Sequence, residues 1–227
     1  MTTDTKRRVI GYSAAAGGAL GLLLAPIMVI IKYMTGWAII PKPAWIAPTQ
    51  QWLGGLLEYA DPPRLWTVFG TVYTVALVLM LIGLVGLRPQ LATAVNRVQR
   101  TGYWLLLGGM CLVIPGDAIH SWTWHQNGLT MPTPGTNPLA NTAYAVHMMG
   151  VNVVMVGALI LGAAALRRKT LAPWVAWPLV LTLPAAILAS VTALPTTPSG
   201  ALWLVSGLML ACGYCVARGQ DRRLVAA

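Results

Sequence analysis

Six long runs of apolar residues divide this chain, and short polar or charged segments separate them. The runs cover approximately residues 9–32, 65–87, 102–120, 142–166, 171–194 and 200–217. As an α-helix rising about 1.5 Å per residue, a run of about 20 residues crosses a hydrocarbon layer of about 30 Å. The pattern therefore predicts an all-α polytopic membrane helix bundle, in which residues 1–227 form a single domain with six transmembrane helices.

The composition agrees with a membrane environment and excludes an ordinary soluble domain. Hydrophobic residues make up 57% of the chain and charged residues only 9%, whereas a soluble domain has about 25% charged residues. The three cysteines are too few for a disulfide framework. The expected location is a cell membrane, with the chain as a multi-pass protein whose surroundings are membrane lipids.

The basic residues are distributed unequally between alternate connections. The formal net charge is +10, and of the 15 lysines and arginines only Lys32, Lys42 and Arg64 lie in one set of connections. Basic loops tend to stay in the cytoplasm, so both termini are predicted to be cytoplasmic. The positive charge thus has a topological explanation. No basic-aromatic motif accompanies it, and nucleic acid is not an expected partner.

Polar residues inside the apolar runs are the candidates for chemistry, because ionisable groups are costly at that depth. Asp117 and His120 share one face of the third predicted helix, and His147 lies at a similar depth in the fourth. Pro115 and Gly116 immediately precede Asp117, and the proline is expected to bend the helix there. Asp117, His120 and His147 are therefore predicted to meet near the extracytoplasmic face as proton-transfer groups or metal ligands.

Residues from the outer loops and neighbouring helix turns complete the predicted site. Two loop carboxylates, Glu58 and Asp61, are candidates for a second acid. Aromatic and amide side chains on the same side are candidates for substrate binding, and they are Trp52, Trp122, Trp124, Tyr144 and Asn152. The concentration of tryptophan is typical either of an aromatic belt at the headgroup level or of a roofed pocket.

Two classes of function remain open at this point. One is a small integral membrane enzyme that acts on a lipid-like or isoprenoid substrate by acid–base or metal-assisted chemistry, for example a proton-initiated cyclisation. It would be a lyase or isomerase of the cyclase kind, or a hydrolase, with a divalent metal as an optional cofactor. No nucleotide cofactor is expected, because the chain lacks a phosphate-binding glycine motif.

The other class is a non-catalytic membrane subunit or small carrier, in which the Asp/His cluster is a structural or ligand-binding polar network. Such a protein would form a homo-oligomer or join a larger membrane complex. Substitution of the cluster separates the two classes, since only the enzyme loses a chemical activity that is independent of its folding.

Overall fold

The computed structural model of the protein describes residues 3–34, 62–91, 97–126, 138–191 and 202–225. These residues form seven α-helices and a short 3-10 helix at Asp221–Leu224. The α-helices are α1 (Thr3–Met34), α2 (Pro62–Gly86), α3 (Arg88–Leu91), α4 (Arg97–Gln126), α5 (Pro138–Arg168), α6 (Pro173–Val191) and α7 (Trp203–Ala217). The prediction of an all-α protein is confirmed for this part of the chain.

Three of the described helices are long and apolar enough to cross a membrane. They are Val68–Gly86 within α2, Arg97–Thr123 within α4, and the whole of α5. Two shorter apolar helices cover Pro173–Ile187 and Trp203–Ala217. Several helices are longer than the apolar runs in the sequence, because a helix continues into the polar interface as long as its backbone hydrogen bonds can form.

Glycines at intervals of seven residues bring α4 and α5 into close antiparallel contact. A Cβ atom added at Gly102 would lie 2.5 Å from the backbone nitrogen of Leu161, and one added at Gly109 would lie 2.6 Å from that of Val154. On α5, Gly150 and Gly157 approach the α4 backbone in the same way. Small residues at such a seam allow two membrane helices to pack backbone against backbone, which replaces the missing hydrophobic effect with van der Waals contact.

A second seam of the same kind joins the first helix to the last. Gly11 and Gly18 of α1 approach the backbone of α7 near Gly213 and Ser206, again with a spacing of seven residues on each side. On another side of α1, Gly17 lies against Met80 of α2. The two contacts of α1 with α7 run in opposite chain directions, and so do the α1–α2 contacts, since Gly86 lies against Ile10. Both pairs of helices are therefore antiparallel. The small residues of the first apolar run thus pack against other helices of the same chain.

The larger helices form a closed up-and-down arrangement. Along the chain, α1 packs on α2, α2 on α4, α4 on α5, α5 on α6 and α6 on α7, and α7 returns to α1. The most extensive of these contacts is between α4 and α5. Tyr103 of α4 donates a hydrogen bond to the carbonyl oxygen of Leu84 in α2 at 3.0 Å, which helps to fix the α2–α4 pair.

Polar contacts join several chain segments at one end of this arrangement. The buried side chain of Gln99 donates to the carbonyl oxygen of Leu91 at 2.7 Å and accepts from the Thr170 hydroxyl at 2.8 Å. The backbone N–H of Ala172 donates to the carbonyl oxygen of Leu224 at 2.9 Å. We call this the basic end, because it carries the charged segments Lys6–Arg8, Arg97–Arg100, Arg167–Lys169 and Arg218–Arg222.

Candidate functional site

Asp117 lies in the second half of α4 and is buried between helices. Its exposed fraction is 7%, although a carboxyl group is rarely found buried without a partner. The hydroxyl of Thr74 in α2 donates a hydrogen bond to Asp117 Oδ2 at 2.7 Å. Asp117 is therefore held from α2 by a short hydrogen bond across the helix interface.

His147 approaches the same carboxyl group from α5. Its exposed fraction is 6%, and its Nδ1 atom lies 3.9 Å from Asp117 Oδ1. This distance is within the range of an ion pair but longer than a hydrogen bond of 2.7–3.2 Å. Asp117 thus presents one oxygen to Thr74 and the other to His147, and three helices meet at its side chain.

Gly116 explains why the backbone of α5 comes close enough for this arrangement. A Cβ atom at position 116 would lie 2.6 Å from the His147 nitrogen, 2.8 Å from His147 Cα and 2.9 Å from the Ala143 carbonyl oxygen. All three are backbone atoms, which cannot move aside without moving the helix. Glycine at this position therefore permits the approach that places the next residue, Asp117, beside His147.

A second glycine sets the approach of α2 to α4 one helical turn away. A Cβ atom at Gly70 would lie 2.6 Å from the hydroxyl oxygen of Ser121, and Ser121 is buried. Gly70 and Thr74 occupy successive turns of α2, as Asp117 and Ser121 do on α4. The close approach at Gly70 and the hydrogen bond at Thr74 are consequently parts of one contact.

The Thr74 hydroxyl has two acceptors but only one proton. Besides Asp117 Oδ2, the carbonyl oxygen of Gly70 lies 3.0 Å from Thr74 Oγ1. When the carboxyl group is ionised, the hydroxyl donates to it. When the carboxyl is protonated, it can donate to Thr74 Oγ1 while the hydroxyl turns to the Gly70 carbonyl. The site can therefore hold Asp117 in either protonation state with its Oδ2 atom hydrogen-bonded.

His120 lies one turn beyond Asp117 on α4 and contacts a different residue. Its ring centroid is 5.5 Å from that of Tyr144 on α5, and the two rings are tilted by 42°. Tyr144 is 44% exposed, whereas His120 is intermediate in exposure. His120 and Tyr144 thus connect the region of the buried pair to the surface of the helices.

Other predicted site residues lie elsewhere or outside the described residues. Trp122 is 52% exposed. Asn152 is also exposed and donates to the Met148 carbonyl oxygen of its own helix at 2.9 Å. The positions for which the structure describes no side chain are Trp52, Glu58, Asp61 and Trp124. Pro115 lies inside α4 with its side chain exposed, and the helix continues past it to Gln126.

No family model, curated protein or solved structure matches this chain. Within the described ranges, no three His, Cys, Asp or Glu side chains are grouped so that they could hold a metal ion. Asp117 and His147 together supply two ligands, whereas zinc sites use three or four protein ligands. Among the described side chains, Asp117 and His147 thus do not make up a complete zinc site.

Sequence reasoning did not single out Thr74, Ser121 or Gly70. The available signal was that Thr74 is one of a few polar side chains in the second apolar run. A threonine in a membrane helix commonly donates to the carbonyl oxygen one turn back, and the Gly70 carbonyl oxygen lies within hydrogen-bond distance of Thr74 Oγ1 here. Only the position of α2 against α4 identifies Asp117 as its second acceptor.

Proposed function

We propose that the protein is a six-span protein of the cell membrane with both termini in the cytoplasm. The support comes from the three long apolar helices, the antiparallel packing of α1 onto α2 and α7, and the basic residues at one end. The basic end would face the cytoplasm, because basic segments are poorly translocated. A reporter enzyme that is active only outside the cytoplasm, fused after Ala227, should remain inactive.

We further propose that the protein is a small membrane enzyme that acts on a lipophilic substrate by acid–base chemistry. The observation that carries this proposal is the buried contact of Asp117 with Thr74 and His147. An ionisable pair inside an apolar bundle is costly, and such pairs are typical of functional sites in membrane proteins. In this proposal Asp117 exchanges a proton, and His147 accepts it or orients the reacting group.

The surroundings of the pair support the proposed substrate class. The outward sides of the helices near the site are apolar, with Met149 and Val75 about half exposed. A substrate would therefore enter from the lipid phase, beside the exposed ring of Tyr144. Protonation of an alkene or an alcohol there, followed by isomerisation or cyclisation, needs an acid and nearby aromatic faces that stabilise a cation. In this proposal Asp117 would supply the acid and the ring of Tyr144 an aromatic face, and the substrate would be an isoprenoid chain.

A non-catalytic membrane subunit is the alternative, and one observation favours it. Asp117 joins α2, α4 and α5 through side chains that are themselves buried or partly buried. A polar network of this kind also locks helices together without any chemistry, and such a hydrogen bond contributes about 0.6–2 kcal/mol in membrane proteins. In that role the same residues would specify the packing of three helices.

Asp117→Asn and His147→Gln distinguish these functions, with Thr142→Ala as the control at an exposed polar position of α5. Total lipid extracts of cells that produce each variant are compared by mass spectrometry, and unfolding is measured in detergent. The enzyme proposal expects a lipid species that depends on Asp117 and His147 in variants that remain folded. An unchanged lipid profile, with lower thermal stability in both variants, would reject the enzyme and support the subunit.

A further inference from the structure

Four exposed residues form a basic and aromatic cluster at the basic end, where Arg88 of α3 meets the exposed side of α4. The guanidinium carbon of Arg88 lies 5.3 Å from the ring centroid of Trp104. Arg100 and Arg97 lie one and two turns before Trp104, and both are exposed. We call these residues, Arg88, Arg97, Arg100 and Trp104, the Arg88–Trp104 patch.

Packing on both sides of α4 fixes the direction of the patch. Gly102 lies against α5, and the buried Tyr103 donates to the Leu84 carbonyl of α2. Trp104 follows directly on the helix and is 47% exposed. The Tyr103 ring also contacts the Trp104 ring edge to face, with centroids 5.6 Å apart. The indole is thus held in place by a residue that is itself anchored.

The patch carries three arginines, and no described carboxylate lies within ion-pair distance of them. Among the described side chains, the carboxylates in ion pairs are Asp4, which contacts Arg7 and Arg8, and Asp117. Guanidinium groups bind phosphate oxygens through two parallel hydrogen bonds. Tryptophan prefers the headgroup level of a membrane. The combination fits an anionic group that is attached to an apolar chain.

Below the patch, the outward side of α4 carries small side chains. Gly108, Cys111 and Pro115 are exposed on the same face as Trp104, and a Cβ atom at Gly108 would meet nothing within 4 Å. The distance from Trp104 to Pro115 along the helix is about 16 Å at about 1.5 Å per residue. This is close to one leaflet of a hydrocarbon layer about 30 Å thick.

We propose that the Arg88–Trp104 patch binds the phosphate of an anionic phospholipid, whose acyl chain lies along Gly108, Cys111 and Pro115. The proposal rests on the membrane topology given above but not on the acid–base site. The phosphate would contact the guanidinium groups of Arg88 and Arg100, and the indole of Trp104 would lie against the glycerol backbone. The lipid would therefore come from the leaflet in contact with the basic end.

The test uses the full chain in mixed micelles that contain equal amounts of phosphatidylglycerol and phosphatidylcholine, with retained lipids counted by native mass spectrometry. The protein is expected to retain phosphatidylglycerol preferentially. Arg88→Gln combined with Arg100→Gln should weaken this retention about tenfold, which corresponds to about 1.4 kcal/mol. Arg167→Gln combined with Arg168→Gln is the matched control, because it removes the same charge from exposed positions at the same end.

A further variant distinguishes a lipid from a free phosphate. Gly108→Leu leaves the charge unchanged but adds a side chain where the acyl chain would lie, so retention should fall. Equal retention of both lipids by the unmodified protein would overturn the proposal. An equal loss of lipid retention in the two double variants would also overturn it, because that result indicates a diffuse charge effect. Displacement of the lipid by inorganic phosphate, together with no effect of Gly108→Leu, would overturn it as well. Asp117→Asn should retain the lipid normally, so failure of the acid–base proposal is seen separately.

Discussion

Substitution of Gly116 by alanine tests whether close helix approach builds the Asp117–His147 contact. The added Cβ atom would lie 2.6 Å from the His147 backbone nitrogen, whereas ordinary contact is about 3.5 Å or more. The two helices would have to separate by about 1 Å at this point. Because overpacking of this kind costs about 1–3 kcal/mol, we expect Gly116→Ala to lower the free energy of unfolding by that amount.

Gly108→Ala is the matched control on the same helix. A Cβ atom at Gly108 meets nothing within 4 Å, and alanine favours a helix over glycine by about 1 kcal/mol. This variant should therefore be as stable as the unmodified protein or slightly more stable. Equilibrium unfolding in detergent micelles, followed by circular dichroism, measures both free energies. If Gly116→Ala were as stable as Gly108→Ala, this result would contradict the close approach of α4 and α5 at Gly116.

Gly109→Ala separates an effect on the site from an effect on the fold. Its added Cβ atom would lie 2.6 Å from the Val154 nitrogen, so a similar loss of stability is expected at a distance from Asp117. Infrared spectra of the carboxyl stretch, assigned with Asp117→Asn, report the surroundings of Asp117. Gly116→Ala should shift this band, and Gly109→Ala should leave it in place. A shift of equal size in both variants would contradict a local role for Gly116.

Substitutions at three further positions test side-chain hydrogen bonds, each with stability or spectroscopy as the measurement. Thr74→Val removes the donor to Asp117 Oδ2 and should lower stability by about 1–2 kcal/mol and shift the Asp117 carboxyl band. Thr74→Ser keeps a hydroxyl, so its stability and carboxyl band should match those of the unmodified protein. A Thr74→Val variant with unchanged stability and an unchanged band would refute the contact. Gln99→Leu leaves the Leu91 carbonyl and the Thr170 hydroxyl without this partner and should cost about 1–3 kcal/mol in chemical unfolding. Tyr103→Phe loses the bond to Leu84 and should cost about 0.5–1.5 kcal/mol, so a thermal midpoint equal to that of the unmodified protein would count against that bond.

Much of the architecture follows from the hydropathy pattern, because a long apolar run in a membrane has to satisfy its backbone within a helix. The structure confirms an all-helical protein with three helices of spanning length among the described residues. The pattern does not determine helix ends. The short helix Arg88–Leu91 and the 3-10 helix Asp221–Leu224 lie in polar segments, where local hydrogen bonds decide the conformation.

The sequence by itself determined which residues are costly in an apolar environment, since the burial cost of Asp117 and His147 depends on residue type and depth alone. Their pairing depends on which faces of α4 and α5 meet, and Gly116 sets how closely they approach. The contact of Asp117 with Thr74 depends in addition on a third helix. The sequence already predicted that His147 approaches Asp117, but contacts between helices distant in the chain depend on packing that no local pattern records. Only the tertiary structure could therefore assign Thr74 to Asp117 and His120 to Tyr144.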